Sequence, residues 1–295
     1  MTGPTDKPAA EVEVTEALVR ALLADQHPDL ADRPITPLAS GWDNALFHVG
    51  DDLIARLPRR ELAVPLVAHE HRWLPELAPR LPLPIPVPVR IGRPGAGYPW
   101  PWSVVAHRPG DSALRTPPDD PAEAARVLGG FISAMARPAP ADAPHNPFRG
   151  IPLADRDDRT RAWIDQLSGL IDAPSVAACW AAHVALPRWT GPPIWLHGDL
   201  HPNNLIVDRG RIAAVIDFGD LTAGDPATDL GVAWTLLPAE VRPLLREVLD
   251  VDDDTWGRGR GWALSLGLAY LAHSADDPDF GRCGLATIDA VLADA

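Results

Sequence analysis

Between Leu81 and Val89 every second residue is proline, with leucine, isoleucine and valine in the intervening places. Proline lacks the amide proton that helices and inner strands need, so this run can be neither a helix nor a central strand. It reads as an ordered, extended connection, because the residues between the prolines are all apolar and favour burial. The patterns on its two sides differ. Ahead of it, 35–40, 45–49 and 53–57 are strand-like and are separated by Gly-Trp-Asp-Asn and Gly-Asp-Asp turns, an antiparallel meander. Helices are expected over 16–24, capped by Thr15, and over 64–78, with Leu66, Leu74 and Leu77 inward.

Beyond the run, a short strand over 102–106 gives way to helical periodicity. Asp120, Pro121 and Glu123 form a helix start, and Ala125, Leu128, Ile132 and Met135 fall on one face. Further helices are expected over 158–172, through Trp163, Leu167 and Leu170, and over 175–185 from Ser175. Strand pattern returns at 194–196 and 204–216, with a turn at Asp208-Arg-Gly, and four helical pieces follow from 228. The plan is α+β in two lobes. A β-rich lobe spans 1–105, with 1–12 as a flexible tail, and a mainly helical lobe spans 106–295 and contains one hairpin. No internal repeat is visible.

Composition narrows the function classes. Hydrophobic residues make up 46% of the chain, within the globular range, although 34 prolines and 23 glycines make it loop-rich. The net charge of −14 disfavours nucleic acid, whose phosphates need clustered lysine and arginine; it suits a cationic partner or simple solubility. Two cysteines, Cys179 and Cys283, exclude a disulfide framework and a cysteine-based zinc site. The start lacks a signal peptide's layout, and the near-apolar run 262–272 is too short to span a bilayer. A cytoplasmic protein without membrane or nucleic-acid partners is expected, as a monomer or weak dimer.

The chemistry concentrates in His197-Gly-Asp-Leu-His-Pro-Asn-Asn204 and Ile216-Asp-Phe-Gly-Asp220. The apolar strand 194–196 stops at a polar loop that carries Asp199 and, five residues later, Asn204. A strand pair then ends where Asp217 emerges. Carboxylate and amide oxygens are hard ligands suited to Mg²⁺, and Mg²⁺ commonly accompanies phosphates. An acid left off the metal is free to orient a hydroxyl nucleophile.

The order aspartate, four residues, asparagine, then Asp-Phe-Gly resembles the catalytic loop and metal-binding aspartate of protein kinases. In its His-Gly-Asp-Leu-His-Pro-Asn-Asn form it is similar to the aminoglycoside phosphotransferase family of small-molecule kinases, over nearly the whole chain from residue 35. The resemblance implies a two-lobed protein-kinase-like fold, ATP or GTP as donor, and Mg²⁺. It makes Asp199 the residue that accepts or orients the hydroxyl proton, and Asn204 and Asp217 the metal ligands. His197, His201 and Asp229 become supports of the loop, with phosphate contact open for His201. It places Ser40, Trp42, Asp43 and Asn44 over the phosphates and the backbone of Val105, Ala106 and His107 beside the purine. The strand that should carry a phosphate-pairing lysine has Arg56, with Glu70 as its partner, Glu76 as a rival to Glu70, and Arg59 and Arg60 as alternative cations. The chain's one lysine, Lys7, lies in the tail. Only about ten residues separate Asp-Phe-Gly from Asp229, too few for a protein kinase's activation loop.

The acceptor expected from the resemblance is an antibiotic: aminoglycoside-like, a basic peptide or a macrolide, with resistance as the consequence. Asp220 would then brace the loop or face a cationic substrate, and Asp276 and Asp277, which by themselves read as a solvated loop, could face it as well. A metabolic kinase for a sugar, a choline-like compound or an amino alcohol would use the same apparatus. A pseudokinase binding module is a third reading, favoured only by Arg56.

Overall fold

The computed structural model describes residues 8–294. Helix α1 (Glu16–Gln26) starts where the Thr15 hydroxyl accepts the Leu18 amide at 3.2 Å. Strands β1 (Ile35–Ser40), β2 (Asn44–Val49) and β3 (Leu53–Pro58) follow, then helix α2 (Val64–Leu77). Strands β4 (Pro88–Gly92) and β5 (Trp102–Ala106) complete an antiparallel sheet in the order β1-β2-β3-β5-β4. The proline run thus ends as an edge strand, where a missing amide need not break a ladder. An edge strand also turns side chains to solvent: Ile85 is buried, but Val89 is exposed, contrary to the burial expected for the whole run.

Of the expected tail, residues 1–7, with Lys7, lie outside the described residues. Glu11 and Val12 are fixed, their amides donating to the Arg59 carbonyl at 2.9 and 3.4 Å, so no loose stretch reaches residue 12.

The second half contains β6 (Asp111–Ser112), α3 (Pro121–Met135), α4 (Asp157–Gln166), α5 (Ala173–Val184), β7 (Ile194–Leu196), β8 (Leu205–Asp208), β9 (Arg211–Val215) and β10 (Thr222–Gly224). Five α-helical pieces end it, one more than expected: α6 (Ala227–Leu230), α7 (Val232–Leu236), α8 (Arg242–Leu249), α9 (Asp253–Ala272) and α10 (Pro278–Ala293). Asp120 caps α3, accepting the Ala122 and Glu123 amides at 2.9 and 3.0 Å, and Ala125, Leu128, Ile132 and Met135 are buried. Helix α4 stops at Gln166, well short of 172, which leaves Leu170 exposed. Helix α5 starts ahead of Ser175 because Asp172 caps it. The expected hairpin is β8–β9; Arg209 and Gly210 at its turn have φ of 48° and 77°, the left-handed pair of a two-residue hairpin. Strand β6 extends it, and a further antiparallel pair, β7–β10, was not legible in the sequence.

Two apolar cores result. One joins α1 to the five-stranded sheet through Leu22, Phe47, Leu57 and Trp102. The larger one gathers Phe131, Trp180 and Trp262, and it also takes Trp73, Leu74 and Leu77 of α2 and Ile85 of the proline run. Helix α2 and the run therefore tie the sheet to the helical half, with the Trp73 and Trp195 rings 5.0 Å apart. Among the described residues no helix is long and apolar enough to cross a membrane.

Candidate active site

Strand β7 delivers the chain into the loop 197–204. The loop is held by one buried carboxylate: Asp229, on α6, accepts the His197 and Gly198 amides at 2.7 and 2.9 Å. Burial pushes the Asp229 carboxyl up, opposed by His197 and these two amides. Gly198 has φ of 87°, and a Cβ there would lie 2.1 Å from the Asp220 carbonyl oxygen, so the turn needs glycine. The His197 ring is buried against Phe218, with centroids 4.5 Å apart. Its Nε2 meets the Ile216 carbonyl at 3.0 Å and its Nδ1 accepts the Asp199 amide at 3.2 Å. A carbonyl can only accept, so the proton sits on Nε2 and the ring has no free lone pair for base chemistry.

Asp199 is gripped from two sides. Arg149 Nη2 donates to one carboxylate oxygen at 3.0 Å, and His201 Nε2 lies 3.3 Å from the other. His201 Nδ1 accepts the Asn203 amide at 3.2 Å, which puts the ring proton on Nε2, facing Asp199. Burial works to raise the Asp199 pKa, but Arg149 and then His201 outweigh it and hold the carboxyl well below the usual carboxylate range. Asp220 shares Arg149 at 3.7 Å and accepts Asn146 Nδ2 at 2.6 Å; burial nevertheless pushes its pKa up.

Asn204 and Asp217 meet at the open end of the β8–β9 hairpin. Leu205 pairs with Val215, and the Ile216 amide donates to the Asn204 carbonyl at 2.9 Å. Asn204 Nδ2 donates to the Asp199 carbonyl at 2.9 Å, so its amide oxygen is the atom left for a cation. Asp217 adopts a φ of 63°, rare for a non-glycine residue, and is exposed. Among the described residues no group of three or more His, Cys, Asp and Glu is gathered as in a dedicated metal site. One carboxylate and one amide oxygen instead suit Mg²⁺, which keeps waters and takes phosphate oxygens to complete its shell.

Arg56, on β3, is buried and donates to Glu70 Oε1 of α2 at 3.0 Å. Burial lowers its pKa, but Glu70 and then Asp217 outweigh that and raise it, so the guanidinium stays charged beside the Asp217 carboxylate. Glu70 is buried as well, whereas Glu76 is paired with Arg72 on the same helix. Arg59 and Arg60 are occupied with the β1–β2 turn: Arg59 Nη1 donates to the Gly41 carbonyl at 2.7 Å and Arg60 Nη2 to Asp43 at 2.6 Å. Of the turn's other residues, the Asn44 carbonyl accepts the Gly41 amide at 2.9 Å, and Ser40 closes β1. Trp42 is 44% exposed and stands edge-on to His273 of the helical half, 6.5 Å between centroids. Val105 and Ala106 end β5. The His107 amide donates to the Asp52 carbonyl at 2.8 Å, so that donor is spent within the sheet and unavailable to a purine.

The neighbourhood of Asp199 differs from expectation. Asp276 and Asp277 are exposed, and Asp277 caps α10 by accepting the Phe280 amide at 3.2 Å. Arginines stand near Asp199, beside Asp220. Arg149 sits on a loop anchored by Gly150, whose amide donates to Thr228 Oγ1 at 3.2 Å and whose carbonyl accepts the Asp225 amide at 2.9 Å. Arg156, just before α4, is 3% exposed; Nε donates to Ser265 at 2.9 Å and Nη1 to the Phe148 carbonyl at 2.9 Å. Burial, then the charges of Arg149 and Arg159, push the Arg156 pKa down to about 9. No sequence motif marks Asn146-Pro-Phe-Arg149-Gly150; its proline and glycine signal only an ordered loop.

The sequence pattern of the phosphotransferase enzyme family matches residues 34–262 of this chain. A curated relative, the uncharacterized protein YcbJ of Bacillus subtilis (strain 168), is 32% identical over 76 residues, 25% of this chain and 23% of that protein's length. Among solved structures, the GDP complex of wild-type aminoglycoside 2'-phosphotransferase-IIIa superposes with a TM-score of 0.70 at 18% identity, covering 95% of this chain and 99% of that one. The apoenzyme of macrolide 2'-phosphotransferase MphH from Brachybacterium faecium gives 0.59 at 21% identity, covering 86% and 91%. At such identities the likeness is one of fold, the two-lobed kinase-like architecture.

Proposed function

This chain belongs to the phosphotransferase enzyme family, and from that premise we propose that it moves the γ-phosphoryl group of ATP or GTP to a hydroxyl of a small molecule. The observation that carries the reading is the convergence of Asp199, Asn204 and Asp217 on one loop and the facing hairpin end, with Arg56 and Glu70 paired beside Asp217. The acceptor oxygen bonds to the γ-phosphorus as the bond to the β–γ bridging oxygen breaks. The nucleoside diphosphate departs with that electron pair, and the hydroxyl proton passes to Asp199.

Asp199 is held ionised, so it is a weak base and its main work is to aim the hydroxyl. A loose phosphoryl-transfer transition state asks for little more, since the proton leaves late. Asn204 and Asp217 would hold Mg²⁺, which supplies neutralising charge to the phosphates. Arg56 presents a fixed cation to the phosphates from β3, and the turn 40–44 covers them. Val105 and Ala106 border the purine, and 1–105 forms the nucleotide lobe against an acceptor lobe over 106–295.

An antibiotic acceptor is the reading that the aminoglycoside and macrolide enzymes of like fold support, with resistance as its consequence. A metabolic kinase is favoured by a different observation, the arginines that stand near Asp199 alongside Asp220. The test is a transfer assay with ATP and GTP against hydroxylated antibiotics and hydroxylated metabolites, the product located by mass spectrometry. Transfer to an alcohol oxygen is expected; a protein that neither binds Mg-nucleotide nor phosphorylates any alcohol would sink the reading.

A further inference from the structure

Among the described residues four arginines are buried, and three have a carboxylate at contact distance: Arg56 with Glu70 at 3.0 Å, Arg242 with Asp294 at 2.7 Å and Arg258 with Asp225 at 2.8 Å. Arg156 has no such partner among the described residues. Its guanidinium lies over the Trp262 and Trp163 rings, 4.9 and 5.7 Å from their centroids, and Nη2 is buried without a hydrogen-bond partner. A buried charge without a counter-ion is costly, and aromatic faces offset only part of that.

The orphaned groups around it are also donors. Arg149 Nε, Trp262 Nε1 and Tyr270 Oη are buried and unpartnered. Trp262 lies under Arg156, and the other two stand beside Asp199: Arg149 binds its carboxylate, and Tyr270 stacks near His201, 5.3 Å between centroids, while His201 touches that same carboxylate. Arg159 lies over the exposed Phe148 ring at 4.8 Å, a third guanidinium on the solvent side. Beside Asp199 and Asp220, then, the buried groups left without a partner are donors.

Resting on the phosphotransferase reading, we propose that the acceptor is an anion: a hydroxylated molecule whose carboxylate or phosphate is received by Arg156, with Arg149 beside it, while its hydroxyl faces Asp199. A planar guanidinium fork matches both oxyanions. A polycationic acceptor would be repelled by the same residues.

The test uses the full chain saturated with Mg²⁺ and non-hydrolysable ATP or GTP, so that the phosphate subsites are filled. Acetate, inorganic phosphate and neutral acetamide are then titrated calorimetrically into wild type, Arg156→Gln and Arg156→Lys. Wild type should bind acetate or phosphate and not acetamide, at least about tenfold more tightly than Arg156→Gln does, with Arg156→Lys in between. Preference for acetate over phosphate assigns a hydroxy acid; the reverse assigns a phosphorylated alcohol. The wild-type contrast of acetate with acetamide stands even if a variant fails to fold. Equal affinity of wild type for acetate and acetamide with no response to phosphate, or equal anion affinity in Arg156→Gln, overturns the proposal while Mg-nucleotide binding persists. Absence of Mg-nucleotide binding overturns the underlying phosphotransferase reading instead.

Discussion

Two buried arginines frame the candidate site, and their surroundings are opposite. Arg56 sits in the sheet with Glu70 at 3.0 Å and feels the charge of Asp217, and these acids keep its pKa raised despite burial. Arg156 sits between helices over two indole rings; burial and then the charges of Arg149 and Arg159 outweigh the more distant Asp199, and its pKa falls to about 9. One cation is met inside the fold and the other is not. A charge satisfied by the chain belongs to a permanent frame, set before any ligand arrives. A charge left unmet stores an unfavourable energy that a ligand of opposite sign can relieve, and so it marks where selectivity for the acceptor is written.

The largest effect should come from Asp199, which stands between the two. Asp199→Ala is expected to lower transfer by about 10²–10⁴-fold while nucleotide affinity stays near wild type, because the residue aims the hydroxyl and holds no phosphate. Rapid-quench kinetics beside calorimetry would check it; turnover at the wild-type rate would contradict the role. Next is Asp217→Ala, which removes one of two protein ligands proposed for Mg²⁺. Loss of a supporting residue alone typically costs about 10–100-fold in metal affinity, so at least that is expected for Mg-dependent nucleotide binding. Titrations with and without Mg²⁺ decide it, and unchanged Mg-nucleotide affinity would remove Asp217 from the metal. Smaller again is Arg56→Ala. A charge-assisted contact is worth roughly 1.5–3 kcal/mol, or about 10–150-fold in nucleotide affinity, and Arg56→Lys should lose less. Nucleotide KM and kcat both within twofold of wild type would make Arg56 a purely structural partner of Glu70.

How much of this was visible in the sequence follows the same divide. The strands, the α3 cap and the loop 197–204 were legible because their signals are local: alternation, turn residues, a capping aspartate and fixed motif spacing. Arg56 and Glu70 were found because a motif on neighbouring elements points to them. Strand β4 was missed because it starts on a proline, and β10 because three residues carry no period. On the acceptor side, Asp220 lies beside Asp199 as its position in the motif suggests, whereas the arginines there carry no local signal. Asp276 and Asp277 cluster in the sequence, yet the helix start at 278 uses Asp277 as a cap and turns both to solvent. Arg149 and Arg156 reach Asp199's surroundings through a loop pinned by Gly150 and through α9, contacts between residues about 50 to 110 positions apart that no local pattern announces.

The smallest expected effect bears most directly on the contrast between paired and unpaired charge. Replacing one member of a buried ion pair strands its partner, which typically costs about 3–5 kcal/mol. Arg258→Met should show that cost, because Asp225, which accepts from Arg258 at 2.8 and 3.2 Å, would be left buried and charged. Arg156→Met strands no carboxylate. It forfeits two hydrogen bonds, to Ser265 and the Phe148 carbonyl, each worth about 1 kcal/mol, and part of the stacking on Trp262. Against that loss stands relief from burying an uncompensated charge, which is of similar size or larger. The two should nearly cancel, so Arg156→Met is expected to lie within about 1 kcal/mol of wild type in denaturant unfolding, on either side of it. Arg258→Met should unfold at clearly lower denaturant. If Arg156→Met is destabilised as much as Arg258→Met, its guanidinium is fully served by the fold, and the two arginines do not differ in the way their surroundings indicate.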